Sequence, residues 1–429
     1  MKKTFKSAAV AMALAGMFLT GCSKNNDDAD TKATITFVSQ MNSASTWNKY
    51  IEEFNKKYPN IKVKIKVFKD YYADYSGVMS ARLNSSNYGD VLMIPSSVSN
   101  EQLSKYFVPL GDVSKMSKEY SCISGKSYDG KVYGIPSMIN VDGLVINKAV
   151  FEKAGITSFP KTTEEFVSAL EKIKETQPDV VPIYSNYSSG WALAKWDFMR
   201  LSASGDAAFN SQMIKTSKPF SEGQPMYSIY KTLYDVADKG LIEKKPKVSD
   251  WNNSCQDLAD GKVGCMVLGS WALNQIKALN EQNASQIVMA PFPSASGGKL
   301  YSSINPDYCI AVSKKSREQK AALTFAKWLA KSSYAEDSGG LSPINGKKTP
   351  EAFKTLKKQN VTLLQDKSTT DVSSKLRSID EAAGTGLDTS ETTKQDIIDA
   401  GLKHDEKAFE SIMNKMNDNW SKAVAKNGN

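Results

Sequence analysis

Histidine is almost missing from this chain: His404 is the only one in 429 residues, and it stands in a Lys-, Asp- and Glu-rich run near the C-terminus. That excludes a His-based catalytic triad and any zinc site built from several imidazoles. Cysteine is sparse too, five in all, with no C-x-x-C spacing, so a thiolate metal centre is not expected. Beyond Cys22, an even set remains (Cys122, Cys255, Cys265, Cys309), compatible with disulfides in three pairings or with buried free thiols. Lysines are scattered, and no basic tract interleaves with aromatics, which argues for solvated surface and against nucleic-acid binding. After residue 22 no segment is long and apolar enough to span a bilayer. There is no internal repeat, and no sign of a resident cofactor or metal.

What is present begins at the front end. Lys2, Lys3 and Lys6 precede a mostly apolar stretch from Ala8 to Leu19, the pattern of a secretory leader. Leu19-Thr20-Gly21-Cys22 looks like a bacterial lipobox. The reading set against it is an ordinary secretory leader with an incidental cysteine. The lipobox reading makes 1–21 a lipoprotein signal peptide, places a diacylglycerol thioether on Cys22, and makes 22–33 a flexible tether without large apolar residues. The mature protein is then expected on the outer face of the cell membrane, held by lipid. Loss of the three leader lysines lowers the formal charge from +9 to +6, 52 basic against 46 acidic side chains. The remaining length, about 400 residues, suggests two or three domains.

Periodicity predicts an α/β chain. Ile35 to Ser39 reads as a strand, followed by a loop Gln40 to Thr46 and a helix with Trp47, Ile51, Phe54 and Tyr58 on one face. Ile61 to Val67 alternates apolar with Lys62, Lys64 and Lys66, a half-exposed strand. Asp90–Pro95, Lys131–Pro136, Asn140–Asn147, Val180–Ser185, Ile287–Pro293 and Cys309–Ser313 are further strands. Thr162 and Glu165 predict a capping box for the next helix, and Glu318 to Lys331 is another helix with Trp328 in the core.

The most informative run is Leu258 to Ile276, L-A-D-G-K-V-G-C-M-V-L-G-S-W-A-L-N-Q-I. A helix ends at Asp260-Gly261, a buried strand covers Val263–Leu268, and Ser270 is the expected N-cap of a helix from Trp271. That sets an indole at a strand-to-helix turn, where α/β sheets keep their crevices. The indole either stacks on a sugar face or packs under its own helix. Asn186-Tyr187-Ser188-Ser189-Gly190-Trp191 forms a second aromatic loop past a strand, with Trp196 assigned to the core.

Several of these stretches, in order, resemble family 1 of the extracellular solute-binding proteins, the maltose-binding-protein-like receptors of sugar ABC importers. G-K-V-G-C-M-V-L-G-S-W is similar to the family's "G-K-x-A-M-x-x-x-G-S-W". The run D-G-L-V-I-N-K-A-V-F-E-K-A-G-I, the A-P-F-P at Ala290–Pro293 and the helix through Trp328 also have counterparts there. The resemblance implies a two-lobed, type II periplasmic-binding-protein-like fold, with lobe 1 at 34–142 plus 305–343 and lobe 2 at 143–304 plus 344–429. The chain would cross between lobes near Asn140–Val145, Ile304–Tyr308 and Leu341–Lys347, and a carbohydrate would sit in the cleft.

On that view Trp271, Tyr187 and Trp191 stack on the sugar, Asp142 and Asp307 each accept from two hydroxyls, and Asn305, Asn42 and Gln40 add polar contacts. Two readings stand for Asp142, a ligand or a cap on a turn at Gly143; Asp307 either binds or shapes the turn after Pro306. The loop Ser96-Ser97-Val98-Ser99 lacks the acidic and arginine pair of the family's maltose binder, so maltodextrin is not implied. Partners implied are ABC permease subunits with a cytoplasmic ATPase, met by a monomer that is not an enzyme. The alternatives are a receptor for a non-sugar solute (peptide, polyamine or phosphate) and a surface glycoside hydrolase using Asp142 with Asp307.

Overall fold

The computed structural model describes residues 32–41, 43–68, 75–85, 88–248, 250–294 and 296–427. Strand β1 (Ala33–Val38) leads through a short 3-10 turn to the helix Asn48–Lys57, and β2 (Ile61–Lys66) returns beside β1. The helix buries Tyr50 and Phe54 at a four-residue spacing, and Trp47 just before it is also core, donating its indole N–H to Ser39 Oγ at 2.7 Å. β2 pairs with β1 in parallel, and β3 (Val91–Met93) pairs on the other side of β1, also in parallel.

A small antiparallel sheet follows, from β4 (Gly111–Asp112), β5 (Ser127–Tyr128) and β6 (Lys131–Val132), with β6 in the middle. Then β7 (Ile135–Pro136) joins the main sheet. The single strand expected over Lys131–Pro136 is therefore two strands in two sheets. The break sits at Gly134, where a Cβ would lie 2.6 Å from Ile94 Cδ1 and 2.8 Å from Cys309 Cβ, too close for any side chain.

β8 (Ile139–Asn147) is the long strand that carries the chain into the second lobe. There it lies among β9 (Val181–Ile183), β10 (Val263–Gly269), β11 (Ile287–Ala290), β12 (Tyr301–Pro306) and, further on, β14 (Thr362–Gln365). Between β12 and β14, β13 (Cys309–Val312) returns to the first sheet, whose order is β2-β1-β3-β13-β7; the second runs β14-β12-β8-β10-β9, with β11 also paired to β8. The chain passes between sheets at β8 and β12, and the bridge Ile139–Leu341 binds a third segment to the same place.

Strand period decides how the cores divide. Leu144 and Ile146 of β8 enter a large core with Phe166, Trp196, Tyr230, Phe292, Phe409 and Trp420. Val141 and Val145, on the opposite face, enter a smaller one with Leu258, Met266, Leu273 and Ile276. The first lobe has its own core of Ile35, Phe37, Trp47, Phe54, Leu92, Ile310 and Phe325. Trp328 is half-buried against Phe54 and Phe325 in that lobe.

Three local readings are decided by the structure. Asp142-Gly143 is not a turn: both residues are inside β8, flanked by β10 and β11, and a Cβ on Gly143 would come within 2.4 Å of the Ala290 carbonyl oxygen. The capping box is half formed. Thr162 Oγ1 accepts the Glu165 N–H at 3.2 Å, but the Glu165 carboxylate takes the Lys161 N–H at 2.8 Å, one residue early. The four cysteines that left two readings open are buried free thiols. Among the described residues, no helix is long and apolar enough to cross a membrane.

Candidate binding cleft

The helix Trp251–Asp260 begins at Asp250, whose carboxylate accepts the Asn253 N–H at 2.8 Å, and ends at Gly261 with φ 78°. β10 then runs back along β8, so the start of that helix and the end of β10 come to the same end of the sheet. Ser270 does not cap the next helix, as the sequence suggests. Its hydroxyl accepts the Val141 N–H at 3.0 Å and its own N–H donates to the Val141 carbonyl at 2.9 Å, extending the β10–β8 ladder by one residue. Trp271 itself takes the cap position of the helix Ala272–Leu279.

This end of the sheet gathers three indoles. Trp191 and Trp251 have ring centroids 4.9 Å apart, Trp191 and Trp271 5.7 Å, and Trp251 and Trp271 5.8 Å. Trp191 is 47% exposed, and the other two are half-buried. Aromatic surface of that size left at the solvent is what a ligand with a flat apolar face would cover. Trp251 was absent from the sequence-based candidates. The signal that could have found it is topological: a helix feeding an antiparallel return strand starts where that strand stops.

Tyr187 is elsewhere. Its ring lies 5.6 Å from Lys247 Nζ and packs on the large core, and its carbonyl accepts from Gln395 Nε2 at 3.0 Å. It has no ring contact with the three tryptophans among the described residues. The preceding Asn186, at φ 59°, turns the chain there. Trp196 is core, edge-on to Phe292, as expected.

Asp142 is next to Trp271. It lies opposite Gly269 in the ladder, and a Cβ on Gly269 would sit 2.7 Å from the Trp271 indole and 3.3 Å from Asp142 Oδ1. The indole edge and the carboxylate thus meet over a bare glycine. Asp142 Oδ2 accepts from the Ser303 hydroxyl at 3.1 Å and from the Asn305 amide, while Oδ1 takes no donor among the described residues. Burial pushes the Asp142 carboxyl up to about 6, against the pull of the Lys195 ammonium and of those two donors.

Asp307 is the second carboxylate on the crossing strands. Burial raises it to about 6 as well, opposed by the Tyr308 backbone N–H, by the Asn140 amide at 3.4 Å and by Lys195. Asn140 stands opposite Asn305 in the β8–β12 ladder, so Asp142, Asn305, Asn140 and Asp307 form one polar floor. The Oδ1 of Asn140 and the Oε1 of Gln40, in the turn after β1, are buried acceptors without a donor among the described residues. Such atoms cost about 1–3 kcal/mol each unless something supplies a proton to them. Asn42 and Cys22 lie outside the described residues.

Alongside this floor is a cavity of about 1000 Å³. The first lobe supplies Ser96–Ser99 to its wall, the second supplies Leu363–Thr369, and Asn305 and Pro306 form its base. Gln365 Nε2 donates to Ser124 Oγ at 3.2 Å across the gap. The cavity does not include the tryptophans; Asn305, through Asp142, connects the two regions. Among the described residues, no group of three or more His, Cys, Asp and Glu side chains could hold a metal.

Comparison with known proteins gives the family. The family described as bacterial extracellular solute-binding protein matches residues 39–336. The Multiple sugar-binding protein of Streptococcus mutans is 26% identical over 327 residues, 74% of this chain and 76% of that one. Two solved structures from Bifidobacterium animalis subsp. lactis are similar throughout. The binding protein of an ABC transporter in complex with mannobiose has 33% identity and a TM-score of 0.80, covering 93% of this chain and 96% of its own. A manno-oligosaccharide specific solute binding protein in complex with mannotriose has 34% identity and a TM-score of 0.81, covering 94% and 96%. The chain belongs to the bacterial extracellular solute-binding proteins and has their two-lobed α/β fold.

Proposed function

We propose that this protein is the substrate-binding lipoprotein of an ABC importer and captures a short oligosaccharide, of the manno-oligosaccharide class, outside the cell. The observation that carries the sugar reading is the set of three grouped tryptophans beside an open carboxylate oxygen on the crossing strands. A pyranose needs a flat apolar face for its C–H side and acceptors for its hydroxyls, and that corner offers the face and one open acceptor. Relatives about one-third identical that hold mannobiose and mannotriose narrow the class.

The roles follow from position. Trp271 and Trp191 stack, with Trp251 as their support. Asp142 Oδ1 and Asp307 accept from hydroxyls, Asn305 orients Asp142, and Gln40, with Asn42 nearby in sequence, reaches from the first lobe as the cleft closes. The lobes are 34–142 with 305–343 and 143–304 with 344–429. Ligand favours the closed form, and a permease with its ATPase reads that form. The protein acts as a monomer and not as an enzyme, held to the membrane through Cys22.

A calorimetric panel of mannobiose, mannotriose, maltose, raffinose, a dipeptide and spermidine tests this. Saturable heat is expected with the manno-oligosaccharides, and their recovery uncleaved after incubation separates a receptor from a glycoside hydrolase. Heat from the dipeptide or spermidine alone would return the cleft to a non-sugar solute.

The raised carboxyls give a pH test with two opposite signs. Ligand hydroxyls donate to ionised Asp142, so sugar affinity should fall as pH drops through about 6, by up to about tenfold per pH unit for each proton that must leave. The ligand-free protein should do the reverse. The folded carboxyls hold protons more tightly than the unfolded ones, whose pKa is 3.8, so this contribution to stability increases as pH falls from about 6 towards 4. Calorimetry and thermal melts at pH 7 and 5 check the pair; parallel trends would remove Asp142 from the binding site.

A further inference from the structure

The binding reading leaves one charged surface unused. Of the net positive charge of the mature chain, most is carried by residues 32–68, which hold seven lysines against two glutamates. Five of those lysines lie on β2 and on the helix that precedes it. Lys62, Lys64 and Lys66 are exposed at every second position of β2, the edge strand of its sheet. Lys56 and Lys57 are exposed at the end of the helix that precedes it. Lys66 Nζ and the Arg82 guanidinium both lie over the Phe68 ring, at 5.9 and 4.5 Å, which extends the patch past the end of the strand.

The chain enters the fold at this same place. Ala33 is opposite Ile61 in the β1–β2 ladder and donates its N–H to the Asn60 carbonyl at 3.1 Å, so residue 32 emerges beside Lys62 and Lys57. From Cys22 to Lys32 there are eleven residues, a reach of at most about 40 Å when fully extended. A surface held that close to a bilayer samples it at high effective concentration.

We propose that the lysine face of the edge strand β2 rests on the anionic phospholipid headgroups of the membrane carrying the Cys22 anchor. This rests on the lipoprotein reading above. Positive side chains within about 10 Å of an anionic surface are attracted to it, and salt weakens that attraction. Ser39 and Gln40 follow the end of β1 that pairs with Lys66, and Ser39 donates its N–H to the Lys66 carbonyl at 3.0 Å, so the Lys66 end of this face adjoins the first-lobe side of the cleft while the tether enters at the Lys62 end. Edge lysines also stop sheet edges from pairing with other chains, but a carboxylate serves that purpose equally well. Charge reversal therefore separates the two roles.

The mature chain from residue 23, which has neither leader nor lipid, is sedimented with vesicles of phosphatidylcholine alone or with added phosphatidylglycerol. Binding is expected only with phosphatidylglycerol, and it should weaken at least about tenfold between roughly 0.03 and 0.3 M salt. The triple variant K62E/K64E/K66E should bind at least tenfold more weakly while keeping the melting temperature and sugar affinity of the unsubstituted chain. Equal binding by the variant, equal binding to neutral vesicles, or no binding at the lowest salt each overturns the proposal. The mass of the Cys22 peptide from membrane-extracted protein tests the anchor separately. An unmodified Cys22 removes the tethered pose even where the vesicle result stands.

Discussion

Replacing Trp271 with alanine is expected to raise the dissociation constant for the bound oligosaccharide by about tenfold to a hundredfold. Truncating a central aromatic anchor costs about 2 kcal/mol or more in a desolvated contact, and 1.4 kcal/mol is tenfold in affinity. Trp271 is the ring of the three that borders the carboxylate. It sits at the end of β10, against Trp191 and Trp251, with its edge over Gly269 beside Asp142. Trp191, 47% exposed and at the rim, should lose less when truncated. Tyr187→Phe should leave affinity unchanged, because the Tyr187 ring packs towards Lys247 and away from the indoles. Calorimetry with mannotriose reads all three variants. The ligand-induced rise in melting temperature should shrink in the same order, as binding to the folded form alone requires. Unchanged affinity in Trp271→Ala would put the indole back in a packing role.

The largest effect on stability is expected from Lys394→Met, a loss of about 3–5 kcal/mol. Lys394 and Asp197 form an ion pair with no solvent exposure on either side chain. All three ammonium donors and both carboxylate oxygens are used. Lys394 Nζ also donates to the Ser390 carbonyl at 2.8 Å and the Gly386 carbonyl at 3.1 Å. Asp197 also accepts from the Tyr230 hydroxyl at 2.8 Å and the Asp388 N–H at 2.9 Å. Removing the ammonium strands a carboxylate in an apolar core, and that uncompensated charge sets the cost. The double variant Asp197→Asn/Lys394→Met leaves no charge unpaired and should recover part of the loss. Urea unfolding followed by the fluorescence of Trp196 and Trp420, both in this core, measures it. A single-variant loss under about 1 kcal/mol would show that water or a rearranged partner reaches Asp197.

This pair also reaches the cleft. Asp388 takes both arms of Arg200 at 2.6 and 2.8 Å, Arg200 Nε donates to Asn210 at 2.7 Å, and Asn210 donates to Asp366 at 2.8 Å, on the cavity wall. None of these residues stood out in the sequence. A lysine within a helix near the C-terminus reads as solvated surface, because burial depends on what packs over it from more than a hundred residues away. Lys394 is such a case, covered by segments around Asp197 and Tyr230.

Where reasoning from the chain succeeded, the signal was short-range. The helix through Phe166, Leu170 and Ile173, the lysine alternation of β2 and the stop at Gly261 are all written in neighbouring residues. Where it failed, a contact across the fold had claimed the group. Ser270 gave its hydroxyl to Val141 instead of its own helix, and Gly134 marked a change of sheet instead of a place within one strand.

The amino-acid sequence alone determined the element types, the family, and the arrival of an indole at the strand-to-helix turn, because apolar period, caps and glycines act over one or two turns of chain. Tertiary structure decided which rings share a surface and which carboxylate they face. Trp251 reaches Trp271 only because a helix and its return strand lie antiparallel, and Asp142 meets them only through its register opposite Gly269. A shift of that ladder by one residue would keep every local pattern and turn Asp142 to the other face of the sheet, since side chains alternate with a period of two.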